Sequence, residues 1–219
     1  MGEVVDQIEH YKNGIFNSSS VVNGVDIGVE LKKVRGGSMF NELSMHMNSK
    51  LNCMKTPQEA GCKWINGLKY YAYSGHDTTL YAFLTAIGVV DSAIVIPNGY
   101  PKYSAAAFLE LWMNTKDQKP YVKVFYYAGD GGNVTDITQE IDGCKTDKYC
   151  NIDIFRALAE KIKPDESMDK FCNTDPFNKA ASTTTPSSST HPSHCGDSAL
   201  LHVALFLLFY MYLYPYSRQ

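Results

Sequence analysis

Hydrophobic and polar positions along this chain change period several times, and each change marks an element. Over residues 69–73 (KYYAY) aromatic residues crowd a short run, which predicts a buried strand. The run breaks at Ser74-Gly75. From Asp77 the pattern resumes as a helix, apolar almost all round over 80–87 and stopped by Gly88. Upstream, Met39, Phe40, Leu43, Met47 and Leu51 recur at helical spacing behind Ser38, which predicts an amphipathic helix with Ser38 as its N-cap. Downstream, residues 105–113 (AAAFLELWM) and 121–128 (YVKVFYYA) are strand-like, and the short NTKDQKP link predicts an antiparallel hairpin. A last amphipathic helix carries Phe155, Leu158, Ala159 and Ile162, capped by Asn151 or Asp153 and ended by Pro164. Residues 1–28 mix polar and apolar positions with several Asn and Gly and read as irregular.

Three local features qualify this outline. Glu110 is the lone charge in its strand, and it either faces solvent by alternation or is a buried acceptor that steers a cation. The GDGGN run at 129–133 follows a hairpin strand and leads to no helix with a Lys-Ser/Thr, so it reads as a turn rather than a phosphate loop. His46 lies inside the first amphipathic helix without a matched partner and is assigned no role.

The composition shifts sharply near residue 179. A Ser/Thr/Pro-rich stalk over 179–198 has too little apolar surface to fold, and residues 199–216 are free of charge and near the lower limit for spanning a bilayer. Two anchors fit: a transmembrane helix with Arg218 beyond it, or a GPI signal with small residues at 187–189 as attachment site. Residues 1–178 then form the folded part.

Compartment and partners follow from charge and cysteines. The net charge is −3 and Arg occurs only at 35, 156 and 218, with no basic run, so nucleic acid is not an expected partner. Six cysteines without paired CxxC spacing favour disulfides over zinc, and Cys53 and Cys62 have a spacing that lets them close on each other. Sequons at Asn17 and Asn133 agree with the secretory route and a lumenal or extracellular location. The N-terminal MGEVVDQIEHYKNG lacks the basic end and apolar centre of a signal peptide. The expectation is therefore that Met1 is not the start of the complete protein, with a cytosolic splice form as the competing account.

The candidate chemistry sits between strand and helix, at Gly75-His76-Asp77-Thr78. A protonated His76 can bind a nonbridging oxygen of a phosphate, and Asp77 can give a proton to the oxygen that leaves. The bland alternative makes Asp77 the helix N-cap and His76 a buried strand-end histidine. The string YSGHDTTLYAFLTAIG resembles the C-terminal signature of the histidine acid phosphatase family, the acid branch of the histidine phosphatases. RGGSMFNEL at 35–43, FLELW at 108–112 and the Cys144 to Cys150 loop with its helix extend the likeness over about residues 25–175.

The resemblance implies an α/β fold, a Rossmann-like, phosphoglycerate-mutase-like sheet with flanking helices, and hydrolysis of phosphate monoesters through a phosphohistidine, without metal or other cofactor. It makes His76 the phosphate-binding histidine and Asp77 the catalytic acid. The family's nucleophile belongs to an N-terminal R-H-G-x-R-x-P motif, yet no Arg-His pair occurs here. The chain is thus expected to be the C-terminal half of such a domain, inactive alone, with the fold incomplete. Cys172 is expected to be unpaired, because its family counterpart pairs with a cysteine in the N-terminal half. The alternatives are a noncatalytic surface protein and a phytase-like or inositol-phosphate phosphatase of the same superfamily.

Overall fold

A computed structural model describes residues 2–16, 18–90 and 100–174, together with two short strands near the C-terminus. The proposed stalk lies outside the described residues. The N-terminal stretch is not irregular: Gly2–Lys12 forms helix α1, and strands β1 (Val21–Val22) and β2 (Val25–Asp26) form a small hairpin through Asn23 and Gly24, both at positive φ. Helix α1 escaped the pattern because burial near its C-terminal end runs against hydrophobicity. Ile8 and Tyr11 are exposed while Glu9 and Asn13 are buried.

Asp26 then caps helix α2 (Ile27–Lys32), its carboxylate accepting from the N–H groups of Gly28 and Val29 at 3.0 and 3.3 Å. The chain continues through a π-helical turn, Lys33–Gly37, into α3 (Ser38–Lys55) without leaving helical backbone. Ser38 is therefore helical rather than an N-cap, and the helical run starts eleven residues earlier than its pattern predicts. Two adjacent glycines normally disfavour a helix. Here they admit neighbours: a Cβ at Gly36 would press on Ala82 at 3.3 Å, and one at Gly37 would collide with the Ile162 carbonyl oxygen.

The core joins three helices to one face of a sheet. After the one-turn α4 (Lys63–Asn66), strand β3 (Tyr71–Gly75) leads into α5 (Asp77–Ala86), in which every residue from Leu80 to Ala86 is buried. Strands β4 (Ala106–Asn114) and β5 (Pro120–Tyr127) form the expected hairpin, with Leu109 opposite Val124 and Leu111 opposite Val122. Strand β6 (Val134–Asp136) and the bridge β7 (Cys150–Asn151) both pair with β5. Helix α6 (Ile152–Ile162), capped by the Asn151 side chain, buries Phe155, Ala159 and Ile162, and the Phe155 ring lies 4.4 Å from that of Phe40. Arg156 ties α6 to α3 by donating to the Asn48 side chain at 2.6 Å.

Helix α7 (Met168–Asn173) carries Cys172. Cys53–Cys62 and Cys144–Cys150 are disulfides, and Cys172 is disulfide-bonded too, which corrects the expectation of an unpaired thiol.

The described parts of the hydrophobic tail are strands β8 (Leu205–Phe209) and β9 (Tyr214–Tyr216). Strand β8 lies between β3, antiparallel, and β4, parallel, giving the order β3-β8-β4-β5-β6, with β9 beside β4. No helix among the described residues is long and apolar enough to cross a membrane, so the expected spanning helix finds no support. Nor is β3 the buried strand of the sequence reading: its residues alternate between half-buried and exposed. Helices and a mixed, largely antiparallel sheet nonetheless make the α/β architecture that was expected.

The other face of the hairpin carries a charge cluster. Glu110 stands opposite Lys123, whose buried ammonium pairs with Asp136 at 2.5 Å and lies 4.7 Å from the Phe125 ring centre. Glu110 is half-buried, accepts from the Trp112 indole at 2.9 Å and is pushed up by burial, against the pull of Trp112 and Lys123. It thus combines both readings.

Lys50 shows how the fold satisfies a buried cation. Its ammonium donates to the carbonyls of Ile65, Asn66 and Leu68 at 2.8, 2.9 and 3.1 Å, closing the C-terminal end of α4. Lys50→Met leaves those acceptors without their donor and is expected to cost about 2 kcal/mol, read as a lower urea midpoint at unchanged slope. A second expectation concerns acid. Burial works against the Asp136 carboxylate, but Lys123 and Thr138 outweigh it and hold Asp136 below the usual range. A folded value below the unfolded one gives stability that is full above the unfolded value and lost as pH falls through the folded one. Stability should therefore drop from about pH 4 downward, and less steeply in Asp136→Asn; equal slopes in a pH series of urea melts would contradict this.

Candidate active site

The strand-to-helix junction is built from a strand end, an N-cap and a fully buried helix. His76 has extended backbone (φ −86°, ψ 165°) and is itself the N-cap residue, its carbonyl accepting from the N–H groups of Thr79 and Leu80 at 2.9 and 3.2 Å. Asp77 is the first helical residue rather than the cap, and its Oδ1 accepts from the Thr78 N–H at 2.8 Å. The His76 side chain makes no capping bond and is exposed, so it is not a buried strand-end histidine. Gly75 keeps the corner tight: a Cβ there would lie 3.1 Å from Thr79. At the far end Gly88, at φ +76°, closes α5 with its N–H on the Thr85 carbonyl.

One group that spacing did not single out, the Tyr100 phenol, lies within electrostatic range of the Asp77 carboxylate. Burial pushes that phenol far up, the Asp77 and Glu9 carboxylates add to this, and Arg35 opposes it, so Tyr100 acts as a donor throughout the physiological range. Its ring stacks on Tyr81 of α5 at 5.3 Å, and Tyr81 stacks in turn on His10 of α1 at 6.0 Å. Next to His10, the buried Glu9 accepts from Lys12 at 2.8 Å and faces the Arg35 guanidinium at 3.6 Å. Arg35 stood in the sequence only as the first residue of RGGSMFNEL. Nothing in a linear pattern joins residues 10, 81 and 100; a ring column across two helices does.

His46 lies elsewhere, enclosed by Tyr71 and Trp64 at ring distances of 4.8 and 5.3 Å, with Glu42 3.7 Å from its Nε2. Those contacts make it a packing residue. Among the described residues no group of three His, Cys, Asp or Glu side chains could hold a metal.

The model of the histidine phosphatase superfamily, branch 2, matches residues 1–127. The chain belongs to that family. Its match starts at residue 1, so the helix and hairpin that sequence pattern missed are part of the family domain. Two curated proteins of Caenorhabditis elegans are similar: "Putative acid phosphatase 11", 35% identical over 158 residues, and "Putative acid phosphatase 10", 34% identical over 158 residues. Each alignment takes in 72% of this chain and 38% of the relative, so the chain spans well under half the length of these phosphatases. No solved structure matches it. In this histidine phosphatase the His76-Asp77 pair thus sits at the start of the most buried helix.

Proposed function

We propose that this chain carries the acid-donor part of an acid phosphatase site that hydrolyses phosphate monoesters, with His76 as phosphate ligand and Asp77 as the acid that protonates the leaving alcohol. The observation that carries this reading is the His76-Asp77 pair at the mouth of α5, where an exposed histidine immediately precedes a half-buried carboxylate at the positive end of a ten-residue helix. Support for the substrate class comes from the family match and from the printed names of the relatives.

The chemistry is divided unevenly. A phosphomonoesterase of this family needs a histidine nucleophile and guanidinium groups to bear the charge of the transferring phosphoryl group. The chain contains no Arg-His pair. What it holds can orient a phosphate and deliver a proton, but it cannot form the phosphohistidine. That same absence favours a second reading, a noncatalytic member that binds phosphate esters without turning them over. The disulfides and the exposed sequon at Asn133 support a secretory-route location for either.

The chain alone is expected to show no turnover of a generic aryl phosphate at pH 5. Clear hydrolysis that disappears in Asp77→Ala would overturn the claim that the nucleophile is missing.

A further inference from the structure

We propose that Asn133 carries an N-linked oligosaccharide and that this glycan covers the free outer edge of β6. It rests on the secretory-route location proposed above, for which the disulfides stand independently of the sequon. Asn133-Val134-Thr135 has the acceptor pattern, and such a pattern is a lasting site only where the fold leaves room for the sugar. Here it does. Asn133 is exposed, and so are all three residues of β6 that follow it, with Val134 57% exposed.

The turn ahead of β6 holds the acceptor out. Gly129, at φ +84°, lies against the Tyr103 carbonyl where a Cβ would collide, and its own carbonyl accepts from the Gly132 N–H at 2.9 Å. The Gly131 N–H donates to the Tyr127 hydroxyl at 3.1 Å. The turn is thus fastened through its other residues, and among the described residues no hydrogen bond uses the Asn133 carboxamide. In the transfer, that nitrogen attacks the anomeric carbon of a lipid-linked oligosaccharyl pyrophosphate. A C–N bond forms, the C–O bond to the pyrophosphate breaks, the lipid pyrophosphate leaves with the electron pair, and the amide gives up one proton.

Topology gives the glycan its task. Strand β6 ends the order β3-β8-β4-β5-β6, and among the described residues only β5 pairs with it. An open edge invites pairing with another chain, and folds blunt such edges with charge or cover them. The one charge in β6, Asp136, is engaged by Lys123 at the far end of the strand, so the Val134 end has no charge to guard it. A bulky, hydrated oligosaccharide on the residue before Val134 covers that end. Strands β8, β4 and β5 separate β6 from β3, the strand that leads to His76, so the glycan leaves the candidate phosphate site open.

The test secretes the full chain behind a cleavable leader from cultured insect cells and compares wild type, N133Q, T135V and T135S. Peptide mass spectrometry should find an oligosaccharide on Asn133 in wild type and T135S and none in N133Q or T135V, the last of which keeps the asparagine and removes only the hydroxyl that the sequon requires. On size-exclusion chromatography at matched concentration, N133Q and T135V should shift to larger assemblies than the wild type. A secreted wild-type chain with its Cys53–Cys62 bond formed and Asn133 bare overturns the proposal and leaves the secretory reading standing; a bare Asn133 together with reduced cysteines overturns both. An occupied Asn133 with unchanged elution in N133Q and T135V overturns the covering role. Should those two variants fail to fold, the wild type still decides: removal of the glycan from the folded chain by a glycan-releasing amidase must enlarge the eluting species, and an unchanged elution rejects the cover.

Discussion

A helix with no solvent face is the constraint around which this protein is arranged. From Leu80 to Ile87 every residue of α5 and its C-cap is buried, and the bulkiest, Tyr81 and Phe83, are 0% exposed. Each large side chain withdrawn from water stabilises the fold by up to about 1.5–3 kcal/mol, but only if apolar surface surrounds the helix on all sides. Other elements are shaped to provide it. Of the paired glycines in the π-helical turn, Gly36 stands where a Cβ would press on Ala82 of α5, and Gly88 turns the chain where a Cβ would strike the Asp142 carboxylate. Since α5 cannot shift without opening the core, its first residues are held firmly, and those are His76 and Asp77.

That arrangement decides what could be read from the sequence. Strongly periodic segments were legible: α5 by its apolar run and Gly88 stop, the core face of α3 through Phe40, Leu43, Met47 and Leu51, the β4–β5 hairpin, and α6 with its Asn151 cap. Failures have specific physical causes. Helix α1 buries Glu9 and exposes Ile8 and Tyr11, so near its C-terminal end the apolar positions do not mark the packed face. Gly36-Gly37 resemble a break because the close contacts that favour glycine there come from α5 and α6, far away in sequence. The apolar tail fits a membrane span by length and composition, yet a strand and a span draw on the same residues. The His76-Asp77 pair stood out by its neighbours in sequence, whereas the stacking of Tyr100 on Tyr81 arises only through tertiary packing.

The half-covered face of the hairpin shows the opposite economy to α5. Lys123 is buried, yet it meets a carboxylate at Asp136 and aromatic faces at Phe125 and Tyr149, at 4.7 and 5.2 Å. A charge so placed avoids the cost of unpaired burial. Thr138 completes the network, its hydroxyl donating to Asp136 at 2.6 Å while it accepts from the Val124 N–H at 3.0 Å. The turn after β6 is thereby fastened to the strand that also packs on α6. Polar groups here serve register, as apolar groups do around α5.

Under the proposed role, a hydrogen bond at Asp77 bears on where it can act. Its Oδ1 accepts from the Thr78 N–H at 2.8 Å, inside the first turn of α5. A helix whose later residues are all buried cannot rotate to re-aim that turn without opening the core, so the carboxylate keeps its place at the corner that follows His76.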